Sequence, residues 1–325
     1  MPTLAWIVGS GGQDGILLGR QLKDEGVHVI GIGRTGTSDV HGNPLERIDV
    51  VNKECVTNAF RSMCPDEIYY VAAVHQPAEF AVSDIGRLHA DSLAVHVEGV
   101  LNILEVMRQH PGVSRLVYAA SSHMFGYPSS SVQNEATPWA PICPYGITKT
   151  AGASFCQHYR NEYGLSAAVG ILYNHESLLR KPHFISMKLI QATYAAKLGR
   201  LATLEVGSLD SVVDWGYAPD YTDAMIRMAR HHPSDTFVVA TGKPHTVRDF
   251  ARIAFETVDL DADDFLVEKS SLVKKPRRTL VGDASRLRKA TGWKPSLDFE
   301  EMVRRMTKEY HTLMQHSSSC PEKPR

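Results

Sequence analysis

The chain opens on an apolar run, a glycine-rich turn and a helical pattern, and this opening restricts the folds available to everything that follows. Leu4 to Val8 is a short apolar run, Gly9-Ser10-Gly11-Gly12-Gln13-Asp14-Gly15 is the turn, and Ile16, Leu17, Leu18 and Leu22 then recur at helical spacing. The pattern reads as strand, turn, helix. Glycines at positions 9, 12 and 15 let the backbone turn tightly and approach a pyrophosphate, whose charge then rests on the N-terminus of the helix. Gln13 and Asp14 lie inside the turn and belong to the same candidate cofactor edge. A glycine pattern alone can be a mere turn, but at the head of an alternating β/α chain it points to a doubly wound parallel sheet.

The alternation continues. Val27 to Ile32 reads as a second strand ending at Gly33-Arg34, Ile48-Asp49-Val50 as a short third strand, and Glu67 to Val74 as a fourth that ends in the small pair Ala72-Ala73. Arg34 stands where this fold places the cofactor ribose. An acidic residue there would accept the ribose 2′-OH, whereas an arginine can pair with a 2′-phosphate, which favours NADP over NAD; a solvated loop arginine is the alternative. Asp49 could reach the adenine amine or be a turn carboxylate, and Ala72 lets backbone pass close to a cofactor. The segment from about 86 to 110 carries Leu93, Val97, Val100, Leu101 and Leu104 as one core-facing stripe of a long helix.

Ser114 to Ala120 reads as a fifth strand that delivers Ser121 to the C-terminal edge of the sheet, where ligands bind in such folds. A proline-containing loop leads from there to Pro144-Tyr145-Gly146-Ile147-Thr148-Lys149 and a helix reaching about Tyr163. Positions i and i+4 share a helix face, so Lys149 is expected beside Tyr145, where its charge would draw a phenol pKa of about 10 toward neutrality. Ser121, Tyr145 and Lys149 are thus candidates for moving a proton while a hydride moves, with a surface aromatic stacked on a lysine stem as the plain alternative. Val169 to Tyr173 reads as a sixth strand. The expected fold is α/β: a Rossmann-type doubly wound parallel sheet with a smaller, discontinuous C-terminal α/β lobe. Residues 1–173 plus 214–245 would form the cofactor-binding domain, 174–213 plus 246–316 the substrate lobe, and 317–325 a disordered tail.

Composition excludes some classes. The 325 residues carry a formal net charge of −1, which argues against general binding to nucleic acid or to an anionic membrane surface. No run approaches the roughly 20 apolar residues of a membrane span, and the N-terminus lacks the basic and apolar regions of a signal peptide. The five cysteines lack metal-type spacing and suit reduced thiols in a cytoplasm, so no metal is expected. Cys143 is noted for its closeness to Tyr145.

Several stretches carry a resemblance: Gly12-Gln13-Asp14-Gly15, Met124-Phe125-Gly126, Pro144 to Lys149, Gly170-Ile171-Leu172-Tyr173-Asn174-His175-Glu176-Ser177, Asp214-Trp215-Gly216-Tyr217, Ala240-Thr241-Gly242 and Gly292-Trp293-Lys294-Pro295. Over nearly its whole length the chain resembles the extended short-chain dehydrogenase/reductases and, within them, the GDP-mannose 4,6-dehydratase family. The resemblance implies an NADP or NAD cofactor, a nucleoside-diphosphate sugar, GDP-linked, and a transient 4-keto sugar. It implies that Ser121 binds the sugar 4-OH, that Tyr145 takes its proton, and that Lys149 holds the ribose and lowers the Tyr145 pKa. Asn174 and Lys188 match positions lining the nucleotide-sugar pocket. Relatives being dimers or tetramers, it also implies a homodimer or homotetramer, with helices 86–110 and 145–163 packing in the dimer.

The departures matter as much. His123 replaces the family's glutamate, the base that removes the C5 proton so that water can leave C6. An imidazole can do general-base work; if it does not, chemistry stops at C4 and the chain is a 4-dehydrogenase, 4-keto reductase or 4-epimerase. Met187 and Val213 stand where the family has arginines, and His96 where it has asparagine. Lys274-Lys275-Pro276-Arg277-Arg278 alters the usual pattern, although Arg278 and its neighbours could clamp a diphosphate or simply form a solvated basic face. A non-catalytic cofactor-binding regulator is the competing class, and retention of Ser121, Tyr145 and Lys149 speaks against it.

Overall fold

The apolar runs of the first half become strands of one sheet because each is too short for a helix and is buried on both faces, as parallel strands are. The computed structural model describes residues 3–33, 45–74, 84–112, 114–272 and 279–318. In chain order the first half gives β1 (Leu4–Val8), α1 (Gln13–Asp24), β2 (His28–Gly33), β3 (Leu45–Arg47), α2 (Lys53–Met63) and β4 (Glu67–Tyr70). After these come α3 (Ile85–Leu93), a π turn (Ala94–Glu98), α4 (Gly99–Gln109), β5 (Arg115–Ser121), a 3-10 turn (Ser122–Phe125), α5 (Pro144–Tyr163) and β6 (Ala167–Leu172). The second half adds β7 (Asn174–Glu176), α6 (Ile185–Lys197), β8 (Leu204–Val206), β9 (Val212–Tyr217), α7 (Ala218–Arg230) and β10 (Thr236–Val239). It closes with β11 (Pro244–Thr246), α8 (Val247–Glu256), β12 (Leu266–Glu268), α9 (Ser285–Thr291) and α10 (Phe299–Ser318).

Seven parallel strands run in the order β10-β6-β5-β4-β1-β2-β3. Register aligns Val8 with Tyr70 and Ser121 with Leu172, so the C-terminal ends of β1, β4, β5 and β6 share one edge. Helices α1 and α7 pack together as one layer, and α2, α4 and α5 as another. A three-stranded sheet, β11-β9-β7, and the β12-β8 pair belong to the smaller lobe. Two apolar clusters form the core. One surrounds the large sheet and includes Trp6, Tyr118, Ala284, Leu287 and Trp293. The other gathers Leu189, Ile190, Trp215, Phe250, Phe255, Phe299 and Val303 in the lobe.

Two local features differ from the sequence reading. The third strand lies at 45–47, because Asp49 accepts a hydrogen bond from the Val51 amide (3.1 Å) and turns the chain into Asn52, whose side chain caps α2. A carboxylate that bonds its own backbone two residues on favours a turn over a strand. The long helix is interrupted by the π turn. There the Tyr70 and Tyr118 hydroxyls donate to the carbonyls of Val95 and His96, and the Gly99 amide reaches back five residues to Ala94. Side-chain donors that occupy helix carbonyls shift the ladder by one residue. The core-facing stripe shifts with it: Val100 and Leu104 are buried, whereas Leu93 is 49% exposed.

Candidate active site

Along the shared strand edge lies a cavity of about 680 Å³, bounded on one side by the sheet and on the other by the segment from Asn174 to Phe184. Its floor depends on glycine. Gly9 has φ +95°, and a Cβ there would come within 2.7 Å of the Ala72 backbone. A Cβ on Gly15 would stand 2.4 Å from the Gly9 carbonyl, while Gly11 meets nothing within 4 Å. The turn is therefore packed tightly from below and open above. Gly12 caps α1 without any side-chain cap, so the positive end of that helix faces the cavity. A dinucleotide pyrophosphate fits such a cradle, with backbone amides in place of side-chain cations. Gly33 and Asp49 line the cavity beyond the turn, and Ala72 lines it from β4.

The four residues marked for chemistry meet here. Ser121 ends β5, and its Oγ accepts from the His123 amide at 3.3 Å. Its hydroxyl is also within hydrogen-bonding reach of the Tyr145 phenol. Lys149, 1% exposed, donates from Nζ to the carbonyls of Ala119 (2.7 Å) and Ala72 (3.5 Å). The same Nζ lies 5.0 Å from the Tyr118 ring centre and 5.9 Å from that of Tyr145.

Electrostatics run opposite to the expectation from the Tyr-Lys spacing. Burial pushes the Tyr145 phenol up to about 12, with Arg180 favouring phenolate and Asp14 opposing it. Burial also brings Lys149 down to about 7. The lysine is spent on two backbone carbonyls rather than on the phenol, and in a dry site the cost of making charge exceeds what a distant cation returns.

Two imidazoles stand edge-on to the Tyr145 ring. His96, at 5.4 Å between centroids, accepts from the Val74 amide at Nε2 (2.9 Å) and faces the Thr148 hydroxyl at Nδ1 (2.7 Å). Because that hydroxyl donates to helix carbonyls, it accepts from Nδ1, and His96 is a neutral strut. His123 lies at 5.7 Å, lines the cavity, and has Nδ1 3.6 Å from the Cys143 sulfur.

The opposite wall is tied on by side chains. His175 donates to the Tyr173 carbonyl (2.7 Å) and pairs with Asp14 (3.0 Å) while stacking on Tyr221. With an acceptor at each nitrogen the ring must be charged. Burial works against this charge, but Asp14 holds His175 above the usual imidazole range. Burial likewise opposes the Asp14 charge, and His175 outweighs it, bringing the carboxyl down to about 2. Gln13 donates to the His175 carbonyl (3.2 Å) and accepts from Ser177 (2.9 Å), so the glycine turn and β7 are clasped together.

Asn174 lines the cavity, whereas Lys188, half-buried on α6, is not among the lining residues. Arg34 and Arg278 lie outside the described residues. Met187 is buried in the lobe core and Val213 packs against it, which explains how apolar residues are accommodated there. Sequence reasoning missed Arg180 and Lys181, both at the cavity. Arg180 pairs with Glu176 at 3.5 Å and lies 3.9 Å over the Phe184 ring. The available signal was two successive cations, Arg180-Lys181, separated from the Asn-His-Glu-Ser stretch by only Leu178 and Leu179.

Fold and site together define the class, an extended short-chain dehydrogenase/reductase. A family model described as GDP-mannose 4,6 dehydratase matches residues 6–306. GDP-mannose 4,6 dehydratase 1 of Arabidopsis thaliana is 33% identical over 94% of this chain and 89% of its own length. Among solved structures, the UDP-glucose 4-epimerase of Thermotoga maritima with UDP-glucose superposes with a TM-score of 0.82 at 19% identity, covering 96% of this chain and all of the other. The dTDP-glucose 4,6-dehydratase of Bacillus anthracis in complex with NAD gives 0.79 at 17% identity, covering 96% and 98%. The chain belongs to the GDP-mannose 4,6-dehydratase family. Among the described residues no helix is long and apolar enough to cross a membrane.

Proposed function

We propose that this protein is an NAD(P)-dependent enzyme that oxidises C4 of a GDP-linked hexose or heptose and then eliminates water across C5 and C6. The observation that carries the reading is the meeting of Ser121, His123, Tyr145 and Lys149 in one cavity, opposite a glycine turn fitted for a pyrophosphate. When bound, the nicotinamide supplies the acceptor for the C4 hydride and returns that hydride later. Gly9, Gly12, Gln13, Asp14 and Gly15 would hold its diphosphate, with Asp49 and Ala72 alongside; Lys149 would hold the second ribose.

Ser121 binds the sugar 4-OH and passes its proton to Tyr145. Forming phenolate in so dry a site is opposed by burial and favoured by the Arg180 cation. Once C4 is a ketone, the C5 proton is acidified by the adjacent carbonyl. His123 takes it, and returning it to the C6 hydroxyl releases water. The resulting 5,6-alkene is conjugated with the ketone, so C6 is the carbon able to receive hydride. Asn174, Arg180 and Lys181, which line the cavity, suit the nucleotide sugar and its diphosphate. Cytoplasmic location and a homodimer or homotetramer complete the reading; Leu93 on α3 and Ile147 on α5, 49% and 51% exposed, support packing through these helices.

Incubation of the purified protein with GDP-mannose and NADP or NAD tests the reaction by mass. Loss of one water is the expected result. A sugar oxidised or epimerised at C4 without loss of water would refute dehydration and leave C4 oxidation, reduction or epimerisation, and a gain of water loss in His123→Glu would then locate the cause.

A further inference from the structure

His123 is the group on which the elimination depends, and its tautomer decides whether it can serve. Only a bare Nε2 can take a proton from C5, and which nitrogen of an imidazole carries hydrogen is set by what the other one meets. The Nδ1 of His123 lies 3.6 Å from the Cys143 sulfur. That sulfur occupies the N-cap of α5, a helix of 20 residues, where it also accepts from the Gly146 amide at 3.4 Å. A helix N-terminus favours electron-rich partners, so the sulfur is set up as an acceptor. The ring state that matches an acceptor is Nδ1–H.

The backbone holds the pair in register. A Cβ on Gly146 would stand 2.7 Å from the His123 carbonyl oxygen, so the first turn of α5 and the 3-10 turn bearing His123 are in direct contact. His123 lines the cavity, and Cys143 is not among the lining residues. An imidazole held at one nitrogen by a fixed acceptor has its ring orientation and tautomer set, which is how a general base is positioned.

The geometry points to Cys143 as a positioning residue for His123: its sulfur accepts from Nδ1–H, fixes the ring and leaves Nε2 as the nitrogen presented to C5 of the sugar. This assignment rests on the reaction proposed above. In that reaction the C5–H bond breaks as Nε2–H forms, and the electron pair moves toward the C4 carbonyl. The pair then returns to form C5=C6 as the C6–O bond breaks, and the Nε2 proton leaves with the hydroxyl as water. Cys143 neither gives nor receives a proton in this balance. It steadies the imidazolium between the two transfers through the Nδ1–H···S contact.

Kinetics of water release from GDP-mannose by the full-length protein test the assignment, with Cys143→Ala and Cys143→Ser each made in the wild type and in His123→Glu. Cys143→Ala is expected to lower kcat about tenfold with KM held within about twofold, as loss of an orienting partner does. Cys143→Ser keeps an acceptor and the helix cap, and is expected to recover most of that loss. In His123→Glu there is no tautomer to set, so Cys143→Ala should cost less than about twofold. An equal loss in both backgrounds would make Cys143 a helix cap only and overturn the assignment. Labelling of Cys143 by iodoacetamide on the folded protein, followed by peptide mass, reads the contact without turnover. Alkylation runs through the thiolate, the thiol proton going to solvent and iodide leaving the carbon, and an Nδ1–H donor helps that anion form, so labelling is expected to slow several-fold in His123→Gln. Equal labelling rates would overturn the pairing. A wild type that releases no water but shows His123-dependent labelling would sink the proposed reaction and leave the pairing standing.

Discussion

The two walls of the cavity are built by different means. On the sheet wall the functional groups are fixed by backbone: Gly9 against Ala72, Lys149 on the carbonyls of Ala72 and Ala119, Ser121 at the end of a strand paired along its length. On the lobe wall they are fixed by side chains: His175 to Asp14, Glu176 to Arg180, Ser186 to Glu176, Ser177 to Gln13. Backbone partners tolerate little change and carry no titrating group of their own, which suits the atoms that do chemistry. Ion pairs titrate and can be exchanged, which suits recognition. Met187 and Val213, where the resemblance implies arginines, lie instead in and against the lobe's apolar core.

That contrast can be broken from either side. Tyr145→Phe removes the proton acceptor proposed for the sugar 4-OH and should lower C4 oxidation at least about 10³-fold, read as cofactor reduction, while cofactor binding persists. Gly9→Val forces a side chain into a left-handed backbone and against Ala72. It should cost roughly 1–3 kcal/mol in thermal unfolding and weaken cofactor binding as well, so that one substitution moves both measurements. On the lobe wall Arg180→Ala should raise KM for the nucleotide sugar about tenfold, as loss of a charge-assisted contact does, and change the affinity for cofactor far less. If the cofactor affinity fell as steeply, the division between the two walls would be wrong.

The smallest effect is one of pH. Asp14 is held down to about 2, so its contribution to stability is complete above ~4 and is lost as the pH falls toward the folded value. His175 is held above its ordinary value, so its contribution is complete below ~6.5 and is lost as the pH rises through the folded value. The contribution of this pair should therefore decline on both sides of the window, against the opposite alkaline trend of Lys149. The melting-temperature difference between wild type and His175→Gln should accordingly shrink as the pH rises through the folded value. An unchanged alkaline slope in that variant would show that the clasp carries no pH dependence.

How legible the molecule was in its sequence follows the same division. The glycine turn, Ser121 at a strand end and the Tyr145–Lys149 spacing are local patterns, and local patterns translate directly into backbone geometry. The π turn was not legible, because it is made by Tyr70 and Tyr118 from other strands. The place of the third strand was hidden by Asp49, a carboxylate that prefers its own backbone. The shift of Tyr145 toward about 12 depends on burial, which spacing does not contain. The pairing of Cys143 with His123 joins residues 20 apart through a loop, and Arg180 reaches the cavity only because β7 is clasped to the first turn.

The central claim is that C4 oxidation and loss of water across C5 and C6 occur in succession at this one cavity. GDP-mannose carrying deuterium at C4, turned over by the purified protein and analysed by mass and NMR, tests it most directly. The account predicts a product lighter by one water with the deuterium at C6. Sugar recovered without loss of water, its deuterium still at C4 or gone into the cofactor, would contradict it.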